Sequence, residues 1–113
     1  MGHYRDVLKE ISGPSAELKK LLPDTYAGFA QIHGEAFSDG ALAKVVKELM
    51  AVAIAIHDGC DGCIASHTRA AARAGATDEQ MAETISVAIL MGGGPATIYG
   101  PRAWESYKEF ASS

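Results

Sequence analysis

The stretch that decides the fold is residues 41–57, ALAKVVKELMAVAIAIH. Its apolar residues follow the period of an α-helix from Leu42 to Leu49. The β-branched residues between Val52 and Ile56 are interleaved with alanine and continue that pattern. The stretch therefore predicts one long central helix and no strand.

The apolar pattern of this helix also predicts that copies of the chain assemble. Beyond Glu48 it is apolar almost all round, and a helix with that pattern is buried on every side. A chain this short cannot easily bury it while also hiding the apolar faces of 60–74 and 77–98. We expect other copies of the chain to cover the remainder, so the sequence predicts a homo-oligomer.

Glycine and proline pairs outside this helix cut the chain into helix-sized pieces. Thr77 is predicted to be an N-cap, and Gln80 three residues later is predicted to complete a capping box. No segment alternates strictly between apolar and polar residues, as a half-buried strand would. The predicted helices cover 4–12, 15–22, 24–37, 41–57, 60–74, 77–91 and 101–111. They predict a compact all-α fold in a single domain over residues 1–113.

Composition and charge exclude several classes of function. The chain has 113 residues, of which 48% are hydrophobic and 21% charged, as in a protein with a packed core. Its formal charge is −4 and its lysines and arginines are scattered, so we expect no nucleic-acid partner. The longest apolar run, 49–56, is far below the roughly 18 residues of a membrane span.

The N-terminal residues lack the apolar core of a signal peptide. We therefore expect a cytoplasmic protein with no membrane partner. In that compartment a structural disulfide is unusual, and a closely spaced cysteine pair is redox-active or binds metal.

The two cysteines of the chain stand in one motif, Cys60-Asp61-Gly62-Cys63. Positions i and i+3 of a helix share a face, so the two thiols can close reversibly into a disulfide. Cys60 falls near a helix start, where unpaired N–H groups favour a thiolate. His67 stands four residues after Cys63, near enough to act as its base. The motif predicts a redox-active Cys60–Cys63 pair and no other cofactor.

Two other interpretations of the cysteines remain open at this point. His57, Cys60, Cys63 and His67 have the chemistry of four zinc ligands, which describes a zinc-binding, non-enzymatic oligomeric module. Structural zinc sites, however, usually draw their ligands from two separate knuckles. The cysteines could also be buried and inert.

Glu48 is the remaining candidate. A carboxylate beside the apolar run 49–56 suits a proton donor or acceptor. The alternative is an exposed helix residue paired with Lys44 four positions earlier. The residues alone favour the exposed pair.

Taken together, these positions read Glu48-x11-Cys60-x2-Cys63-x3-His67. This pattern resembles the redox motif of the alkylhydroperoxidase D-like branch of the carboxymuconolactone decarboxylase superfamily. The flanking segments 68–77 and 89–96 also look like the family, and the similarity spans roughly residues 20–100. The resemblance implies an all-α fold with the CxxC motif at the N-terminus of a central helix, assembled as trimers or hexamers.

The resemblance also implies roles for these residues. Cys63 would attack a hydroperoxide, and Cys60 would resolve the resulting sulfenic acid to a disulfide. His67, linked to a buried Glu48, would relay protons. An external dithiol, a thioredoxin-like protein or a lipoyl group would be the reductant.

One position departs from the pattern. Peroxidase members of the family carry a histidine immediately before the second cysteine, where this chain has Gly62. The leading hypothesis is a thiol-dependent peroxidase, and the runner-up is a general thiol–disulfide oxidoreductase or redox sensor. Decarboxylation ranks third, because that branch generally lacks the CxxC pair.

Overall fold

A computed structural model describes residues 2–112, which form helices and no strand in that range. The helices are α1 (His3–Leu21), α2 (Pro23–Ala36), α3 (Lys44–Asp58), α4 (Asp61–Arg73), α5 (Asp78–Gly92) and α6 (Ala96–Ala111). The predicted all-α fold is confirmed. The predicted domain, 1–113, includes Met1 and Ser113, which lie outside the described residues. None of the helices within 2–112 has the length and apolar content needed to cross a bilayer.

The α4 helix lies at the centre of the packing, against α1, α3 and α6. Its inward face is buried and made of small or branched side chains, including Ile64, Ala65 and Ala71. Thr68 and Ser106, both fully buried, join α4 to α6 through a hydroxyl–hydroxyl hydrogen bond of 2.6 Å. This contact satisfies two polar groups that would otherwise be costly to bury.

A tight turn connects α3 to α4 and sets where the CxxC motif begins. Gly59 ends α3 with a left-handed φ of 64°, a conformation that favours glycine. The N–H of Cys60 donates to the Ala55 carbonyl at 3.2 Å, which closes the end of α3. A Cβ on Gly59 would lie 3.3 Å from the Tyr99 ring of α6, so the turn is also closely packed.

The first predicted boundary, at Gly13-Pro14, is wrong. The segments 4–12 and 15–22 form the single helix α1, which runs through Pro14. The φ of proline suits a helix, and its missing N–H leaves the carbonyl of Glu10 without a helical donor. Glu10, Gly13 and Pro14 are exposed, so water can satisfy that carbonyl.

The boundary predicted at Gly100-Pro101 is also wrong, because α6 begins at Ala96 instead of residue 101. Gly100 is buried, and a Cβ there would lie 2.9 Å from Ile85 Cγ2 on α5. The glycine therefore allows close approach of two helices and does not end one.

The central helix begins at Lys44, three residues later than predicted. Its first turn is stabilised by Asp39, whose Oδ1 accepts the Lys44 N–H at 2.8 Å.

The expectation that this helix is buried on every side is wrong for one copy of the chain. One face of α3 is an exposed apolar stripe formed by Val46, Met50 and Ile54, and exposed Leu42 lies just before the helix. A single copy leaves this stripe in water, and the homo-oligomer stays a prediction.

The predicted capping box of α5 is confirmed. The Thr77 hydroxyl accepts the Gln80 N–H at 3.1 Å, and the Gln80 side chain accepts the Thr77 N–H at 2.9 Å. Two N–H groups that the helix itself leaves unpaired are satisfied by this exchange.

We expect Thr77→Ala to lower the free energy of unfolding by about 1 kcal/mol, because the Gln80 N–H loses its acceptor. Urea denaturation followed by circular dichroism measures this change. Thr25→Ala is the control, since Thr25 is exposed and its side chain has no hydrogen bond within the described residues. Equal effects of the two substitutions would contradict the role of the cap.

Candidate active site

The two cysteines lie at the start of α4 and are joined in a disulfide, with their Cα atoms 5.2 Å apart. Cys60 is the N-cap of the helix, and its sulfur accepts the Cys63 N–H at 3.2 Å. Cys60 is partly buried, whereas Cys63 is exposed. The motif thus places a sulfur among the unpaired N–H groups of a helix start, where negative charge is stabilised.

Glu48 lies on α3 with only 1% of its surface exposed, and it faces the first turns of α4. Its Oε1 is 2.8 Å from His67 Nδ1, and its Oε2 accepts a hydrogen bond from Lys44 Nζ at 3.3 Å. Both sequence interpretations of Glu48 thus hold in part. The ion pair with Lys44 is present, but the carboxylate is buried instead of exposed.

The contact with Glu48 determines the role of each His67 nitrogen. An ionised carboxylate only accepts hydrogen bonds, so when Glu48 is ionised the donor in this contact is the Nδ1–H of His67. In the neutral imidazole, Nε2 then keeps its lone pair and is the basic atom. His67 is one helical turn after Cys63, so this base and the exposed thiol share a face of α4.

Two aromatic side chains beside His67 were not identified from the sequence. The Phe37 ring stacks on His67 with centroids 5.2 Å apart, and His33 lies 4.7 Å from Phe37 and 6.1 Å from His67. Lys44 Nζ lies 5.6 Å from the Phe37 ring centre. Only the return of α2 toward α4 brings these rings together, so no spacing in the sequence signals them.

A cavity of about 440 Å³ adjoins the Glu48–His67 pair. The helices α3 and α4 supply most of the residues that line the cavity, and α2 supplies His33. The charged side chains that line it are Lys44, Glu48, Arg69 and Arg73. Its volume lies within the range of small-molecule sites.

The four side chains proposed as zinc ligands do not converge. Within residues 2–112, no group of three or more His, Cys, Asp or Glu side chains is arranged to hold a metal ion. His57 instead lines a separate apolar cavity with Ile54 and Met91.

The space beside Gly62 is already occupied. A Cβ at this position would lie 2.9 Å from Ile11 Cδ1, so a side chain of α1 covers the middle of the CxxC motif. Any larger residue at position 62 requires Ile11 to move.

The chain belongs to the carboxymuconolactone decarboxylase family, whose model matches residues 23–106. An uncharacterized protein of Cupriavidus necator is 42% identical over 96 residues, which are 85% of this chain and 85% of that protein. The uncharacterized protein 4 in the cox locus of Paracoccus denitrificans is 46% identical over 67 residues, 59% of this chain and 60% of that one.

A solved structure of similar fold belongs to the same family. The fold matches the crystal structure of the apo form of a carboxymuconolactone decarboxylase family protein from Legionella pneumophila, with a TM-score of 0.93 and 37% identity over 96% of both chains. The carboxymuconolactone decarboxylase superfamily inferred from the spacing of Glu48, Cys60, Cys63 and His67 is confirmed.

We expect Glu48→Gln to loosen the choice of tautomer at His67. A carboxylate accepts only from Nδ1–H, whereas an amide can accept from that nitrogen or donate to it. Nitrogen NMR of labelled protein at a pH where His67 is neutral should show one tautomer before the substitution and a mixture after it. An unchanged His67 spectrum would show that Glu48 does not orient the ring. His3 provides an internal control in the same spectra, because it is exposed and distant in sequence.

Proposed function

We propose that the chain is a thiol-dependent peroxidase of the alkylhydroperoxidase D-like branch, reducing organic hydroperoxides. The observation that carries the proposal is the hydrogen bond between buried Glu48 and His67, one helical turn from the cysteine pair. It supplies an oriented base beside a thiol that can be oxidised reversibly. Decarboxylation does not change the oxidation state of a thiol, so it gives the Cys60–Cys63 disulfide no part in the reaction.

In the proposed first step, His67 Nε2 takes the proton of the Cys63 thiol. The thiolate attacks the outer oxygen of the hydroperoxide, and the O–O bond breaks. The alkoxide leaves as the alcohol with the proton that His67 returns, and Cys63 becomes a sulfenic acid. The sulfur is oxidised by two electrons and the peroxide is reduced by two. The exposure of Cys63 supports its assignment as the attacking thiol.

In the proposed second step, Cys60 attacks the sulfenic sulfur of Cys63. The disulfide forms, and the hydroxyl group leaves as water with the Cys60 proton. An external dithiol, of the lipoyl or thioredoxin type, would then return two electrons and two protons by thiol–disulfide exchange. The direct Cys60–Cys63 contact across one turn of α4 supports this resolving role.

Cys63→Ser should abolish peroxide turnover, because the nucleophile is lost. Cys60→Ser should still consume one peroxide per subunit and accumulate a Cys63 sulfenic acid, because only resolution is lost. Peroxide loss and mass spectrometry of the reduced, metal-free variants measure both results. Turnover that survives Cys63→Ser would overturn the assignment.

Glu48→Gln should lower the rate of Cys63 oxidation by roughly 10²- to 10⁴-fold, the usual contribution of a positioned acid–base group. Stopped-flow measurement of thiol loss against hydroperoxide concentration gives this rate. Glu83→Gln is a matched control, because Glu83 is an exposed helix residue without an ion pair in the described part of the chain. A rate unchanged by Glu48→Gln would remove the proton relay from the mechanism.

A second candidate is a general thiol–disulfide oxidoreductase or redox sensor. Gly62 favours it, since the histidine of the family's peroxidase members is absent. Cys60 at the α4 N-cap also favours it, because a thiolate there can attack a partner disulfide. Slow peroxide oxidation combined with rapid exchange against a lipoyl or thioredoxin disulfide would favour this candidate.

Assembly is part of the proposal. The exposed apolar stripe on α3, together with exposed Val87, Leu90 and Met91 on α5, supports a homo-oligomer, a trimer or a hexamer. Light scattering coupled to size-exclusion chromatography tests this, and a monomer at micromolar concentration would contradict it.

A further inference from the structure

Two arginines on α4 have no role in the mechanism above. Arg69 is partly buried and Arg73 is exposed, one helical turn further along. The four ion pairs among residues 2–112 use other side chains, so neither guanidinium is matched by a carboxylate there. A partly buried, unmatched positive charge is unfavourable unless a ligand compensates it.

Both arginines line the same cavity as Glu48 and His67. At about 100° per residue, Ser66, Arg69 and Arg73 form a strip of α4 beside the strip that carries Cys63, His67 and Ala70. The cavity touches both strips. Side chains on a helix lean toward its N-terminus, so both arginine side chains lean along the axis toward the turn that carries His67. Cys63 precedes the residues that line the cavity, and from it Arg69 lies about 9 Å along the axis of α4 and about 120° around it. The long arginine side chain shortens the gap between the two ends of the site. A small molecule can span that distance.

The charge of this cavity differs from that of the whole chain. Lys44, Arg69 and Arg73 line it against one carboxylate, Glu48, in a chain whose formal charge is −4. Lys44 is already engaged by Glu48, so the surplus belongs to the arginines. Burial and the neighbouring Arg73 charge both lower the pKa of the Arg69 guanidinium, the result expected where no anion lies nearby.

We propose that Arg69 and Arg73 form a subsite for the carboxylate of the substrate. The preferred substrate is then a small organic hydroperoxide that carries a carboxylate, with its peroxide group at Cys63 and its carboxylate on the arginines. Paired guanidinium groups suit carboxylates because they donate in a planar fork. The peroxide half of this inference rests on the proposed function, whereas the anion subsite does not.

A binding experiment tests the subsite without any turnover. The oxidised protein is titrated with 4-isopropylbenzoate and with the neutral 4-isopropylbenzamide, each followed by NMR. We expect the benzoate to bind at least tenfold more tightly, with shifts at His67 and Ala70, and this preference to shrink at high salt. Equal affinity for the two compounds in the unsubstituted protein would overturn the subsite, whether or not any variant folds.

Substitutions then locate the subsite. The double variant Arg69→Gln, Arg73→Gln should lose the preference for benzoate, while Arg102→Gln, which removes the same charge from α6, should keep it. Arg5 lines a neighbouring cavity that the two arginines also border. Loss of the preference in Arg5→Gln alone would place the anion in that neighbouring cavity and overturn the assignment.

Turnover measurements separate the proposed substrate class from the proposed peroxidase activity. We expect 4-carboxycumene hydroperoxide to have at least a tenfold higher kcat/KM than cumene hydroperoxide. The double variant should raise KM for the carboxylated peroxide, whereas Arg102→Gln should not. Equal kcat/KM for the two peroxides would overturn the substrate class. If neither peroxide reacts, the proposed function and the peroxide half of this inference fail together, and the benzoate titration decides the anion subsite.

Discussion

The site depends on one buried charge. Glu48 has almost no contact with water, and an isolated carboxylate in that position would be strongly unfavourable. His67 on α4 and Lys44 on its own helix occupy its two oxygens. Removing one member of such a buried pair typically costs about 3–5 kcal/mol. The contact therefore holds α3 against α4 and at the same time orients the imidazole, so packing and chemistry use the same atoms.

The α4 helix brings the remaining parts of the site into register. Its N-terminus holds the cysteines, its next turn presents His67, and its last turns carry the unmatched arginines. Its opposite face is buried against α1 and α6, with Thr68 bonded to Ser106. Because one rigid helix carries all these groups, their separation in the sequence sets their distances along the helix axis, at about 1.5 Å per residue. The α2 helix has no buried residue, yet its His33 and the Phe37 that caps its C-terminus contribute rings to the site.

The two proline positions show where local sequence signals mislead. Gly13-Pro14 and Gly100-Pro101 have the composition of helix breaks, yet α1 and α6 continue through both. A proline in a helix forfeits one hydrogen bond, and exposure of the freed carbonyl makes that loss tolerable. Gly100 is explained by the close approach of α5, which has no local signature. Whether such a pair ends a helix is therefore decided by what surrounds it.

The sequence by itself determined the helical class, the capping box at Thr77 and the spacing of Glu48, Cys60, Cys63 and His67. These features depend on residues near one another along the chain, where helix periodicity and capping operate. Tertiary structure decided that Glu48 is buried, that Phe37 and His33 lie on His67, and that the arginines share a cavity with them. It also showed that a single copy of the chain leaves the apolar stripe of α3 exposed. Burial and ring contacts arise only when separate helices meet, so no local pattern encodes them.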